Sequence, residues 1–153
     1  MDRTVIDEID RRILRVLQRD GRMSFKELGR EVGLSANATG VRVGRLIADG
    51  VITGVQAQID HAKLGRGLEA FVDCWLSERD EEHWAHFEQY VMGDDRVLDA
   101  VHLTGKVDFR LRVVVESPIE LDDFLRRLKR DGGVDETDTR LILRRYEVGP
   151  VVA

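Results

Sequence analysis

Ser24-Phe25-Lys26-Glu27-Leu28-Gly29-Arg30-Glu31-Val32-Gly33-Leu34-Ser35 is the stretch that decides the first third of the chain. Ser24 and Glu27 have the spacing of a capping box, in which the serine oxygen accepts from the Glu27 amide and the glutamate reaches back to the serine amide. A short helix follows, with Phe25, Leu28 and Val32 turned inward. Gly33 supplies a left-handed turn and Ser35 a second N-cap, so another helix starts at once. It runs to about Asp49, with Thr39, Val43, Leu46 and Ile47 on one face, and Gly50 ends it. Two short helices joined through Val32-Gly33-Leu34 describe a helix-turn-helix.

Working outward, residues 5–19 carry Ile6, Ile9, Ile13, Val16 and Leu17 at three- and four-residue steps, the period of an amphipathic helix. Asp20-Gly21 is expected to stop it, glycine tolerating the left-handed conformation that ends helices. Residues 1–50 therefore read as a trihelical, winged-type helix-turn-helix domain. Val51, Thr53, Val55, Ala57 and Ile59 then alternate, which predicts a β-strand linker over 51–65. The second domain, 66–153, opens at Gly65-Arg66-Gly67. It carries strands at Leu68–Leu76, 97–103, Phe109–Val115 and 139–148, and helices at Glu81–Met92 and from Ser117-Pro118 to Gly132-Gly133. The order βαββαβ is the ferredoxin-like plan, an antiparallel sheet with both helices on one face. The fold class is two-domain α+β. The uncovered sheet face reads as apolar enough to need a partner, which predicts a homodimer.

Bulk properties agree with a cytoplasmic, globular protein. Hydrophobic residues make up 42% and charged residues 35% of the 153, a mixture that argues against disorder. No apolar run approaches the ~18 residues of a membrane span, and Met1-Asp2-Arg3-Thr4-Val5 begins no secretory signal. The net charge of −5 is unevenly spread: residues 1–50 hold ten Lys/Arg against eight Asp/Glu, the remainder fourteen against twenty-one. That asymmetry permits a DNA-facing first third and an acidic body. Cys74 is the single cysteine and is expected to be a structural thiol in a buried strand. His83 and His86 lie three apart on a helix without a third ligand nearby, so no metal or other cofactor is expected. No phosphate loop or nucleophile motif appears.

These features occur together in a known pattern. The chain resembles the Lrp/AsnC (leucine-responsive, or feast/famine) regulators through Ile9-Asp10-Arg11-Arg12-Ile13-Leu14, Asp20-Gly21-Arg22-Met23-Ser24, Val32-Gly33-Leu34-Ser35 and Gly50-Val51-Ile52-Thr53-Gly54. His102-Leu103-Thr104-Gly105-Lys106-Val107-Asp108-Phe109 is similar to the family's G-x-x-D-aromatic hairpin, and Gly133-Val134-Asp135-Glu136-Thr137-Asp138-Thr139 to its entry into the last strand. The resemblance implies a DNA-binding regulator that dimerises through its sensor sheets, assembles further as tetramers or octamers, and binds an amino acid between dimers. The recognition segment departs from the family pattern: it lacks proline after the N-cap, has few basic residues, and contains Gly40 and Gly44.

With Val43 and Leu46 inward, a ~100° step places Asn37, Ala38, Val41 and Arg45 on the outer face of that helix. The candidate DNA contacts are Ser35, Asn37, Ala38, Val41, Arg42 and Arg45. Asparagine can bond adenine in bidentate fashion, valine can touch a thymine methyl, and Arg45 suits a phosphate. Arg42 reaches either a phosphate or a neighbouring carboxylate. The candidate effector contacts are Thr104, Gly105, Asp108, Thr137 and Thr139. Gly105 allows close backbone approach, Asp108 offers an anion and the threonines hydroxyls, a set matched to an amino-acid head group. Asp108 has a second reading, as the residue that fixes the turn. His102 is either structural or ligand-lining. Two other functions fit the same scaffold: an enzyme like the sirohaem decarboxylases, and an architectural DNA-binding protein without an effector.

Overall fold

Asp7 starts the first helix, α1 (Glu8–Arg19), three residues later than the periodicity predicts. Its carboxylate accepts from the Asp10 amide at 2.8 Å, and the Asp10 carboxylate accepts from the Asp7 amide at 3.2 Å, a reciprocal box that leaves Ile6 ahead of the helix. The computed structural model describes residues 5–146, which divide into two units, 5–58 together with Tyr146, and Ile59–Arg145.

In the first unit, α2 (Phe25–Val32) has the expected Ser24–Glu27 box, and Gly33 closes it in the left-handed region at φ 79°. Ser35 caps α3 (Ala36–Ala48). Ile13, Leu28, Val32, Val43 and Leu46 form the core, with Ile9, Leu14, Val16 and Leu17 packed against it. Three inward or turn assignments are corrected. Phe25 is 47% exposed, because it opens α2 and its ring lies over Gly40, where an added Cβ would sit 3.1 Å from the ring. Ile47 is 55% exposed, one ~100° step round the helix from buried Leu46. Gly21 is not left-handed; an added Cβ there would meet Val55 at 2.6 Å, so this glycine makes room for the segment that follows α3.

That segment is also corrected. Residues 51–60 form no strand, and neither a β-linker nor a β-wing is present among the described residues; a short 3₁₀ turn spans His61–Leu64. Alternation makes a strand only where a second strand accepts its ladder, and none of the described strands pairs with it.

The second unit has β1 (Leu68–Leu76), α4 (Glu81–Met92), β2 (Val97–His102), β3 (Phe109–Val115), α5 (Pro118–Asp131) and β4 (Val134–Leu141). The strands lie antiparallel in the order β2-β3-β1-β4, the ferredoxin-like arrangement. Ala70, Val72, Cys74, Leu111 and Val113 of the sheet meet Phe87 and Val91 of α4 and Phe124 and Leu128 of α5 in one core. The last strand starts five residues before its expected beginning. Val134 is buried opposite Leu76, whereas Asp135, Glu136 and Asp138 are exposed and hide the strand signal. Ile142 and Tyr146 follow the strand, and Glu147 and Val148 fall outside the described residues.

The uncovered face is less apolar than its alternation suggests. Phe71 and Val101 are exposed on it, but its centre is charged: Asp73, 2% exposed, accepts from Arg110 at 2.6 and 2.9 Å and lies 3.3 Å from Arg140. The Arg110 guanidinium also stands 5.7 Å from the Phe71 ring centre.

Candidate nucleic-acid interface and effector hairpin

The helix-turn-helix holds α3 by close contact at one end and by charge at its side. An added Cβ on Gly29 would stand 2.6 Å from the Leu34 carbonyl oxygen and 3.0 Å from Thr39 Oγ1, so only glycine lets α2 pass this close to the turn. Thr39 is fully buried and donates its hydroxyl to the Ser35 carbonyl at 2.8 Å. The Ser35 hydroxyl accepts from the Ala38 amide at 3.2 Å, so Ser35 builds the start of α3. Asn37 is exposed, Ala38 half-buried and Val41 67% exposed. The outward stripe therefore runs through Asn37, Val41 and Gly44.

Arg42 and Arg45 turn toward α1. One Arg42 nitrogen lies 2.6 Å from an Asp7 oxygen and 2.9 Å from an Asp10 oxygen, while Arg45 donates to the other Asp10 oxygen. Of the two readings of Arg42, the carboxylate partner is the one present, and Arg45 shares it instead of standing clear for a phosphate. The Asp7 carboxyl is held below the usual carboxylate range, first by the Asp10 amide and then by the Arg42 guanidinium, and Arg42 is correspondingly raised. Sequence reasoning passed over this clasp, although Asp7 and Asp10 have the three-residue spacing of a capping box.

In the second unit, the register puts His102, Phe109, Cys74 and Thr137 in one row across the sheet. Thr104 and Gly105 lie exposed in the turn beyond β2, with Gly105 at φ 107° and nothing within 4 Å of an added Cβ. Asp108 is turned inward: its carboxylate accepts from the Leu76 amide at 3.0 Å and from Arg79 at 3.2 Å, while its amide donates to the Cys74 carbonyl at 3.1 Å. These bonds fasten the hairpin to β1, the work of the turn-fixing reading. Thr137 and Thr139 are half-buried opposite Cys74 and Val72. Two strand spacings, about 10 Å, separate Thr137 from Phe109. The Asp108 carboxylate reaches across to the Leu76 amide of β1, the strand that pairs with β4.

His102 stacks on Phe109 with ring centres 4.6 Å apart and meets Trp84 at 5.2 Å. Trp84 and Arg79 had no place in the sequence reading of this site. The Trp84 indole nitrogen is buried with no hydrogen-bond partner. His83 does not pair with His86: its ring nitrogen bonds the Asp80 cap at 2.7 Å, and His86 bonds the Asp131 carbonyl at 2.8 Å. Glu78, Asp80 and His83 offer donor atoms within 4.8 Å of one another, a cluster that the helix cap and its ion pair already account for.

Residues 6–47 match the AsnC-type helix-turn-helix domain, and residues 69–152 the Lrp/AsnC ligand binding domain. The chain is 36% identical over 120 residues to the Bkd operon transcriptional regulator of Pseudomonas aeruginosa, covering 78% of each protein. It is 33% identical over 124 residues to the DNA-binding transcriptional activator DecR of Escherichia coli, covering 81% of this chain and 82% of that one. Among solved structures, a transcriptional regulator of Neisseria meningitidis in complex with L-methionine superposes with a TM-score of 0.88 at 25% identity, over 95% and 94% of the two chains. A feast or famine regulatory protein of Mycobacterium tuberculosis, also complexed with L-methionine, gives 0.87 at 30% identity over 97% and 100%. No described helix is long and apolar enough to cross a membrane. A capped helix-turn-helix followed by a βαββαβ ligand-binding module, each matched along its length, makes the chain a member of the Lrp/AsnC family of transcriptional regulators.

Proposed function

We propose that this regulator binds double-stranded DNA through α3 as a homodimer or larger assembly, and that an amino acid or closely related metabolite changes its DNA affinity. The observation that carries the DNA half is the outward stripe of α3. Asn37 and Val41 are exposed in the first turns of a helix that is capped and packed from behind. They are the base-reading residues of this proposal, with Ala38 beside them and Ser35 ordering the helix start. Phosphate contacts then fall to cations outside α3, with Lys26 and Arg30 of α2 the nearest in sequence.

The effector half is supported by the two relatives solved with L-methionine. In this reading the open backbone at Thr104 and Gly105 receives the head group, and Asp108 holds that hairpin in place. Thr137 and Thr139, half-buried on the neighbouring strand, add their hydroxyls. The protein is not an enzyme in this proposal, and its setting is the cytoplasm.

The experiment is a DNA titration with and without the amino acid that most raises the melting temperature in a screen of the twenty. Specific binding stabilises by RT ln(1 + [L]/Kd). A shift in DNA affinity of about 5- to 150-fold is the expected coupling. If no amino acid shifts either the melting temperature or the titration, the effector half fails while the DNA half stands.

A further inference from the structure

The recognition helix carries only two cations, Arg42 and Arg45, and both are bound to carboxylates on another helix. Asp10 is completely buried, an unusual place for a carboxylate. Three things compensate it: the guanidinium of Arg42 at 2.9 Å, that of Arg45, and the N-terminal end of α1, where it is the third residue. Asp7, at the cap itself, shares Arg42 at 2.6 Å. The cluster holds two anions and two cations, so α3 presents no net charge from its side chains. Its outward stripe is Asn37, Val41 and Gly44, none of them charged.

We propose that Asp10, seconded by Asp7, is a positioning residue for DNA recognition: it anchors α3 through the helix's only two cations and keeps those charges from adding to phosphate attraction. A charged recognition helix binds every sequence more tightly, because counterion release is indifferent to the bases. With that charge neutralised, preference rests on the base-facing residues, and the ratio of specific to non-specific binding rises. The inference rests on α3 being the helix that faces DNA.

The test is the salt dependence of DNA binding by the full-length chain, on a selected operator and on random-sequence duplex. Asp10→Asn keeps the shape and an acceptor but removes one negative charge. The log–log salt slope is expected to steepen by about 0.9, the increment for one phosphate neutralised. At low salt, binding to random duplex rises several-fold and the operator-to-random ratio falls. Adding Arg45→Gln to Asp10→Asn restores the charge balance, and the slope returns to that of the parent. A damaged helix would not be repaired by deleting a second partner, so this reversal separates charge from structure. An unchanged slope in Asp10→Asn overturns the proposal, as does a double variant that keeps the steeper slope. Should Asp10→Asn fail to fold by circular dichroism, Asp7→Asn takes its place, since asparagine caps helices as well as aspartate. The same steepening is expected there, and its absence again overturns the proposal. Asn37→Ala reports separately on the premise: an altered sequence preference keeps α3 at the DNA whatever Asp10 does.

Discussion

Gly29 is buried where α2 meets the turn and α3, Gly44 lies on the exposed side of α3, and alanine is expected to move stability in opposite directions at the two positions. At Gly29 the added methyl would meet backbone oxygen at 2.6 Å, so the α2–α3 crossing must open; overpacking of this kind costs about 1–3 kcal/mol. At Gly44 nothing lies within 4 Å and the backbone is ordinary helix, so alanine stabilises by about 0.5–1 kcal/mol. Urea unfolding of the two variants checks both signs. Cys74 gives a second residue-scale prediction. It is fully buried, and burial followed by the Asp73 charge pushes its thiol up to about 12. The reactive thiolate is therefore scarce, and a neutral alkylating reagent at pH 8 should label it only as fast as the protein unfolds. Labelling of the folded chain at the rate of a small-molecule thiol would contradict this. The Ser24–Glu27 capping box and the buried thiol were legible from neighbours in sequence, whereas the Asp7–Asp10 box was missed. The partners of Asp10 were not: Arg42 and Arg45 lie 32 and 35 residues away, and only the folded helix pair brings them together.

Elements were legible where a segment's own period matched its burial. The helices α2, α4 and α5 and the strands β1 and β3 have one apolar face each, and their limits lie close to the predicted ones. The segment 51–59 and β4 were misread for the same physical reason in opposite directions. A strand is defined by what it pairs with, so an alternating run without a partner stays irregular, and an acidic run beside β1 becomes a strand. The candidate sensor hairpin shows a related limit. Its glycine and aspartate were visible, but the Leu76 amide and Arg79 that occupy Asp108 belong to β1 and the loop after it.

At the level of the sheet, Asp73 predicts a pH dependence. Its carboxyl is held below the usual range, chiefly by the Arg110 hydrogen bonds and against its own burial. A carboxyl with a lowered native pKa contributes stability that is complete above its unfolded value, about 3.9, and is lost as pH falls through the native value. Asp73→Asn should therefore flatten the acid limb of the stability curve below about pH 4 while leaving its shape near neutrality. An acid limb identical in the two proteins would remove Asp73 from the account.

For the whole molecule, the proposed assembly places the interface between copies on the open sheet face. A helix-turn-helix protein reads two half-sites by presenting two recognition helices across a two-fold axis, and an isologous interface supplies that axis. Phe71 and Val101 are exposed on this face around the Asp73–Arg110 pair, so it carries apolar area together with both signs of charge, a composition that can match itself. The full-length chain is expected to sediment as a dimer or larger at micromolar concentration. Phe71→Asp replaces apolar area on this face with a carboxylate that pairing would have to desolvate, which opposes association. The variant should dissociate toward monomers while keeping its far-ultraviolet spectrum, since Phe71 lies outside the buried core. Binding to a single half-site should then survive at close to parental affinity. Binding to a two-half-site operator should fall toward the same value, because linkage is what turns two weak contacts into one strong one. A parent that sediments as a monomer would sink the dimer, and a Phe71→Asp variant that remains dimeric would move the interface off this face. A variant that loses both half-site and operator binding together would show instead that the sheet is needed to fold the reader.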